Sequence, residues 1–249
     1  MFRVCLSILF FWITIFGFSQ STKNVIHQDL IWATYINTLQ FNENHFLVTE
    51  LHERRFTERY TKHQRIIRSH YHFKLNNNWE VAPGFAYFLQ YPHNPKSSSN
   101  LIVPELRPFL QINAKQKLNE LFSLNHQYIA EWRFFRNSNG LELTDGYNNN
   151  FRFRYRIGVD VLLFKSEKHP VKLKIQDEIH INAGKNILYN RFDQNRIYAG
   201  LNYELNKNLS IETGYLNWYQ QTASGVDFYN RNIIRFSIFQ KIDLPNKKQ

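Results

Sequence analysis

The sequence predicts an all-β protein, a single up-and-down antiparallel transmembrane β-barrel of ten to twelve strands, with twelve favoured. Three observations predict this fold. Long stretches alternate between polar and apolar residues, the breaks between them alternate in length, and an apolar segment typical of an export signal precedes them. The stretches exceed the roughly five or six residues usual for strands in globular proteins, and they suffice for the ~9–11 residues that a tilted strand needs to cross a bilayer.

The alternation is clearest in residues 150–164, NFRFRYRIGVDVLLF. Arg152, Arg154 and Arg156 fall on one parity, and the apolar side chains from Phe151 to Val161 fall on the other. Successive side chains of a strand point to opposite faces, so this stretch predicts a strand with one cationic face and one apolar face. A helix would scatter the arginines around its circumference.

The first 19 residues are predicted to be a cleavable signal peptide, which leaves residues 20–249 as one barrel domain. Arg3 supplies the positive start, and residues 4–16 form an apolar run too short to span a bilayer comfortably. Gly17 and Ser19 are small residues where a cleavage site requires them. An uncleaved N-terminal anchor is the alternative. Cys5, the single cysteine, lies in this segment, so the mature domain has no disulfide.

Eleven alternating stretches follow, each ended by a polar break. They cover residues 29–39, 45–56, 62–75, 79–91, 101–112, 120–136, 150–164, 171–183, 192–205, 209–221 and 230–244. The opposed side chains include Glu50 and Arg54 against Leu47 and Leu51, Arg68 and His72 against Ile67 and Tyr71, Glu131 and Arg133 against Trp132 and Phe134, Lys174 and Glu178 against Ile175 and Ile179, and Asn202 and Glu204 against Leu201 and Tyr203. Pro104 and Pro108 weaken the fifth stretch, which is expected to be bulged or frayed.

The breaks between these stretches alternate in length. Short turns are predicted near residues 42–44, 76–78, 113–119, 165–170 and 206–208, and longer loops near 56–61, 92–100, 137–149, 184–191 and 222–229. Short periplasmic turns and longer extracellular loops are typical of outer-membrane barrels, which in bacteria have an even number of strands. A further short strand at residues 22–26 would make twelve, and ten is the alternative.

A barrel in a membrane turns its apolar parity to lipid and its polar parity to the lumen. The residues then predicted to line the lumen are Glu131, Arg133, Arg152, Arg154, Arg156, Lys172, Lys174, Glu178, Arg196 and Glu204. Aromatic side chains near strand ends are expected to form interfacial belts, at Trp79, Trp132, Tyr189 and Trp218. A soluble barrel with an apolar core would explain the same alternation with the faces reversed.

Composition excludes several other classes of protein. The mean hydropathy of −0.49 does not fit a polytopic helical membrane protein. A formal net charge of +11 is typical of proteins that bind nucleic acid. Here, however, the arginines alternate with aromatic residues at a period of two and do not cluster in a tail. No nucleic-acid partner is therefore predicted.

Several segments of the chain resemble the DUF2490 family. They are residues 126–135, 151–159, 177–184 and 191–216 and the closing strand. The matching positions are the pair Glu131 and Arg133, the ladder of Arg152, Arg154 and Arg156, and Asn195-Arg196 with Gly200 and Leu201. The resemblance implies an exported, outer-membrane-type β-barrel of Bacteroidetes. It implies no activity, cofactor or ligand.

The sequence carries no strong signal for catalysis or metal binding. His70 and His72 share a face, as two metal ligands on a strand would, but no cysteine or compact carboxylate cluster completes a site. Ser69 and His70 are adjacent, so their side chains point to opposite faces, and Ser123 and His126 also differ in parity. No G-x-S-x-G, H-E-x-x-H or phosphate-binding loop is present. No enzyme activity, metal or cofactor is predicted.

The predicted function is that of an outer-membrane barrel with a charged lumen. The lumen is either a salt-bridged plug with a structural or interaction role or a narrow passage that favours anions. An outer-membrane lipid hydrolase and a soluble periplasmic barrel that binds a small anionic or apolar ligand are the alternatives. The expected partners are outer-membrane lipid and, during biogenesis, periplasmic chaperones and the barrel-assembly machinery. The solute and the oligomeric state stay open.

Overall fold

The computed structural model describes residues 23–166 and 169–244, so the predicted signal peptide and Cys5 lie outside the described residues. The described chain forms a closed barrel of eleven strands. The strands are β1 (Asn24–Gln40), β2 (His45–Phe56), β3 (Lys62–Lys74), β4 (Trp79–Gln90), β5 (Val103–Lys117), β6 (Phe122–Ser138), β7 (Leu143–Phe164), β8 (Val171–Ala183), β9 (Phe192–Asn206), β10 (Leu209–Gln221) and β11 (Asp227–Asp243). A short 3-10 turn, Glu58–Tyr60, lies between β2 and β3.

The up-and-down topology is confirmed, and each strand pairs with the next in antiparallel fashion. The favoured count of twelve is wrong for the described residues, although eleven lies within the predicted range. Residues 24–26, which were expected to belong to a separate short strand, are the start of β1, and β1 runs without a break to Gln40. Lys23 lies outside this strand, and residue 22 lies outside the described residues.

The barrel closes through a parallel pair, β1 with β11. The register runs from Asn24 opposite Asp227 to Gln40 opposite Asp243. An odd number of alternating strands leaves the first and the last pointing the same way, so closure has to be parallel. The prediction of an entirely antiparallel sheet is therefore wrong at this one seam.

The two ends of the barrel differ in the length of their connections. At the turn end, four links are built around an asparagine whose Oδ1 accepts backbone N–H bonds, as at Asn76, which binds the amides of Asn78 and Trp79 at 2.8 and 2.9 Å. The other three are Asn42, Asn119 and Asn206. At the loop end, the connections include residues 91–102, 184–191 and 222–226. Asparagine tolerates the turn conformation and supplies its own acceptor, which explains the tight turns.

Two predicted breaks differ from the structure. The segment 137–149, expected to be a long loop, is mostly strand, because β6 runs to Ser138 and β7 starts at Leu143. This hairpin extends beyond its neighbours and is fixed by Arg136, whose Nη2 donates to the Thr144 carbonyl at 3.0 Å and whose guanidinium lies over Tyr147. The turn expected at 113–119 begins only after Lys117. The fifth stretch is a full strand despite its prolines, although its pairing with β6 skips Arg107 and Pro108.

The outward and inward faces differ as the alternation predicts. Outward-facing Phe85, Trp132, Phe153 and Phe236 are between 43% and 53% exposed. The inward face combines polar and charged residues with two apolar clusters, one around Trp32 and Trp218 and one around Phe88 and Phe109. No helix within residues 23–166 and 169–244 is long and apolar enough to cross a membrane.

Trp218 corrects one sequence prediction. It was expected in an interfacial belt, but it lies inside the barrel with 2% of its surface exposed. Trp218 shares the parity of Leu216, which also points inward, whereas Tyr215 is exposed on the outer face. Trp79, Trp132 and Tyr189 are exposed at 44%, 43% and 70%.

Candidate functional site

The arginines of β7 lie against carboxylates of both neighbouring strands. The β6–β7 register puts Glu131 opposite Arg152, and the β7–β8 register puts Glu178 opposite Arg156. Arg152 donates from Nε to Glu131 at 2.7 Å and from Nη1 to Asp193 at 3.0 Å. Arg154 bridges the two sides, with Nη1 2.8 Å from Glu131 and Nη2 2.7 Å from Glu178. Glu131 is 4% exposed, so this network is buried.

A second buried group joins β5 to β6. Glu105 is fully buried and accepts hydrogen bonds from Arg107 Nη2 at 2.7 Å and from Arg133 Nε at 2.7 Å. Arg107 also stacks on Phe88, with its guanidinium carbon 3.5 Å from the ring centroid. Glu105 and Arg107 were not predicted to line the lumen, because Pro104 and Pro108 indicated a bulged or frayed strand without a regular inward face. Their shared parity was the signal that would have found them.

Lys172 and Lys174 on β8 each pair with one carboxylate toward the turn end. Lys172 Nζ lies 2.5 Å from Glu204, and both side chains are about one-third exposed, at 36% and 33%. Lys174 Nζ lies 2.8 Å from Glu212, which is 1% exposed and also accepts hydrogen bonds from Tyr198 and Arg235. Lys172 and Glu204 therefore belong to the rim, and Lys174 belongs to the interior.

Several arginines of the interior have no carboxylate closer than 3.9 Å among the described residues. Arg54 donates to Gln64 Oε1 at 2.7 Å and lies over Trp32, and Arg231 donates to Gln28 and lies over Trp218. Neither makes an ion pair with any described residue. Arg156 forms neither a hydrogen bond nor an ion pair within the part of the chain that the structure describes. Arg196 has only a distant partner, Glu178 Oε2 at 3.9 Å.

Three cavities follow one another along the lumen. A cavity of about 470 Å³ lies at the loop end, one of about 320 Å³ at the centre and one of about 400 Å³ at the turn end. Nine arginine and lysine side chains line the central cavity, against three glutamates. The centre of the barrel therefore carries an excess of positive charge.

Adjacent cavities share lining residues, which lie at the two junctions between neighbouring cavities. Arg54, Phe88, Arg152 and Arg196 line both the loop-end and the central cavity. Gln127, Arg156, Lys174 and Gln176 line both the central and the turn-end cavity. We call these sets the upper and the lower constriction. Each contains at least one guanidinium without a close carboxylate among the described residues.

Three histidines of β2 and β3 form a hydrogen-bonded chain with two glutamates. Glu50 accepts at 2.9 Å from His52 and at 2.8 Å from His70, and His70 Nδ1 lies 2.6 Å from His72 Nε2. His72 Nδ1 in turn lies 3.0 Å from Glu80. No three His, Cys, Asp or Glu side chains among the described residues are arranged to hold a metal ion.

The structure thus brings five of the ten predicted lumen residues into one interior network. Arg133, Arg152, Arg154, Glu131 and Glu178 lie within it. Arg156, Lys174 and Arg196 line the constrictions, and Lys172 and Glu204 lie on the rim. Sequence reasoning missed Arg54, Arg231, Arg235, Glu212 and Asp193. The first four share the inward parity of their strands, but barrel closure, which the sequence does not display, brings them together. Asp193 falls on the outward parity of β9 and is nevertheless buried, at a register shift between β8 and β9.

Comparison with known proteins gives a family. The family model described as "Protein of unknown function (DUF2490)" matches residues 30–230. A solved structure titled "NanC porin structure in rhombohedral crystal form" is similar with a TM-score of 0.48 and 12% identity, over 86% of this chain and 99% of that chain. A search of curated proteins gave no match.

Proposed function

The chain belongs to the DUF2490 family, and we propose that it is an outer-membrane β-barrel that passes small anions through a narrow, arginine-lined lumen. The family description assigns no activity, so the proposal rests on the geometry of the barrel. It includes no catalysis. Its partners are outer-membrane lipid on the outer face and, during insertion, periplasmic chaperones and the barrel-assembly machinery.

The outer face of the barrel supports a location in a membrane. Its large apolar side chains, such as Phe153 at 53% and Ile197 at 53% exposure, would face water in a soluble protein. The charged groups lie instead in the interior, where they hydrogen-bond one another. A closed sheet leaves no unpaired edge, which is what lipid requires of backbone polar groups. In the proposed orientation, the turn end is periplasmic and the loop end is extracellular.

The observation that carries the proposal is the series of three cavities joined by two cationic constrictions. A solute that moves from the loop end to the turn end passes Arg54 and Arg196, then the central cavity, then Arg156 and Lys174. Rings of arginine and lysine are the usual basis of anion selectivity in pores. The small volume of the central cavity limits the passage to small solutes.

Planar-bilayer recording tests this proposal. Folded protein in a potassium chloride gradient should give discrete conductance steps, with a reversal potential whose sign indicates preference for chloride. The double substitution Arg156→Gln with Arg196→Gln should lower the permeability ratio of chloride to potassium. Silence of a folded, inserted barrel, or selectivity for potassium, would overturn the proposal.

A structural or interaction role is the second candidate, and the buried ion pairs favour it. Glu105 and Glu131 hold four arginines of the interior, which stiffens the wall of the barrel. A barrel that stays silent in bilayers but fractionates with the outer membrane and shifts its mobility on an unheated gel would fit this role. A soluble periplasmic protein would show neither the fractionation nor the shift.

A further inference from the structure

Two buried tryptophans mark the wall beside the upper constriction. Trp32 on β1 and Trp218 on β10 lie edge to face, with ring centroids 5.7 Å apart and an interplanar angle of 69°. They are 3% and 2% exposed and pack with Leu30 and Phe56. Their rings are therefore fixed in position and give a rigid apolar wall on which other groups can stack.

Three guanidinium groups lie over this pair of rings, those of Arg54, Arg196 and Arg231, and the first two line the upper constriction. The Arg54 guanidinium carbon is 3.8 Å from the Trp32 centroid, and that of Arg196 is 4.8 Å from Trp218 and 5.5 Å from Trp32. Stacking on indole favours a cation, but it does not neutralise the charge. Arg54 and Arg196 carry like charges beside the same rings and repel each other. An anion between them would attract both, which would make the total electrostatic energy favourable.

Both guanidinium groups have a donor that is buried and unused. Nε of Arg54 and Nε of Arg196 have no hydrogen-bond partner among the described residues. Arg54 is 8% exposed, and its Nη1 is already committed to Gln64. A buried donor without a partner costs free energy, so such groups are normally satisfied by a ligand or by water. Arg152, in the same constriction, differs because Glu131 and Asp193 satisfy it.

The position of the two arginines makes them accessible to a solute. Both line the loop-end cavity and the central cavity, so they lie where the two meet. Guanidinium presents N–H groups in a planar fork that matches the oxygens of carboxylate and phosphate, whereas chloride offers no such pair of acceptors. A small oxyanion is the ligand class that fits two unused guanidinium donors beside a neutral wall.

We propose that Arg54 and Arg196 form a discrete oxyanion-binding site above Trp32 and Trp218. The inference deepens the proposed anion passage and rests on it for the route by which the ligand arrives. Phosphate and carboxylate groups share the required geometry, and the size of the adjoining cavities admits either as a free ion or as the head group of a small organic acid.

The test uses the intrinsic fluorescence of the two interior tryptophans. Trp79 and Trp132 face outward and are replaced by phenylalanine, so that in the mature barrel the signal comes from Trp32 and Trp218. Folded protein in detergent is titrated with inorganic phosphate, acetate or chloride at constant ionic strength. Phosphate and acetate should each give a saturable change at concentrations at which chloride gives none.

Three variants identify the residues responsible. Arg54→Gln with Arg196→Gln should weaken phosphate binding by about tenfold or more, as the loss of charge-assisted hydrogen bonds predicts. Arg54→Lys with Arg196→Lys keeps the charge but loses the fork, so it should also bind phosphate more weakly, and it serves if the glutamine variant does not fold. Arg65→Gln, on the exposed outer face, removes the same charge and should bind phosphate like the wild type.

Two results would overturn the site. One is a change that does not saturate or is the same for phosphate and chloride, and the other is unaltered binding in the folded Arg54 and Arg196 variants. Bilayer recording separates this failure from failure of the passage. Saturable phosphate binding by a silent barrel would keep the site and discard the passage. Chloride-selective conductance without saturable phosphate binding would keep the passage and discard the site.

Discussion

Replacing Glu131 by glutamine is expected to lower the free energy of unfolding of the barrel by about 3–5 kcal/mol, the range for breaking a buried ion pair by removing one partner. Oε2 of Glu131 accepts from Arg152 at 2.5 and 2.7 Å, and Oε1 accepts from Arg154 at 2.8 Å. The glutamine amide keeps one acceptor and turns an NH₂ group toward the other guanidinium. Each hydrogen bond to a charged group contributes about 1.5–3 kcal/mol, so the loss of one or two of them gives the same magnitude.

The measurement is reversible urea unfolding of the barrel in lipid vesicles, followed by tryptophan fluorescence. Glu120→Gln is the matched control, since Glu120 pairs with Lys165 at 2.9 Å but both side chains are about three-quarters exposed. It removes the same charge and should change stability little. If Glu131→Gln lay within about 1 kcal/mol of the wild type, as exposed ion pairs do, the interior network would not stabilise the barrel and the reasoning would fail.

Three further predictions concern single positions. Gly214→Ala should lower the free energy of unfolding by about 1–3 kcal/mol in the same assay. An added Cβ would lie 2.5 Å from the Gly200 Cα and closer still to the Ala199 carbonyl oxygen, and overpacking of this kind forces the backbone to move. Wild-type stability of this variant would contradict the prediction. Arg156→Gln should leave stability unchanged, since Arg156 pairs with no described residue. It should lower the chloride-to-potassium permeability ratio by up to about fivefold, which is the effect of ~1 kcal/mol from a unit charge at about 4 Å in a water-like dielectric. An unchanged reversal potential would argue against a role of Arg156 in selectivity. Asn76→Ala should lower the free energy of unfolding by about 1 kcal/mol, because two backbone N–H groups lose their acceptor. The side chain of Asn77 makes no hydrogen bond to a described residue, so Asn77→Ala should change stability little. Equal effects at the two positions would show that the Asn76 side chain does not stabilise the turn.

The parity of the strands can be predicted from sequence because it depends only on the alternation of neighbouring residues. Phe153 and Arg154 differ in face by necessity, whatever the rest of the chain does. The same holds for the tight turns, where an asparagine such as Asn76 provides both the conformation and the hydrogen-bond acceptor locally. Strand parity therefore predicts the two faces of the barrel wall, and the asparagine turns predict the short connections at one end.

Contacts between strands are harder to predict, because long side chains reach diagonally. The register puts His180 opposite Arg154, yet the Arg154 guanidinium bonds to Glu178, two residues away. A position near a strand end does not by itself predict an interfacial aromatic residue. Trp218 was expected to face lipid, but its parity, which it shares with Leu216, directs it to the interior. The site of Arg54 and Arg196 combines β2 with β9, strands that meet only across the interior, and no local pattern in the sequence joins them.

The parallel seam has a consequence for the ends of the chain. In a barrel with an even number of strands, the N-terminus of the first strand and the C-terminus of the last strand lie at the same end of the barrel. Here Asn24 lies at the loop end beside Asp227, and Asp243 lies at the turn end beside Gln40. The chain therefore enters the sheet at one end of the barrel and leaves it at the other. A peptide linker that joined the two ends would have to run the full height of the barrel, so circular permutation, which is simple when termini are adjacent, is disfavoured for this topology. Epitope tags next to Asn24 and after Asp243 should be reached by antibodies from opposite faces of the membrane.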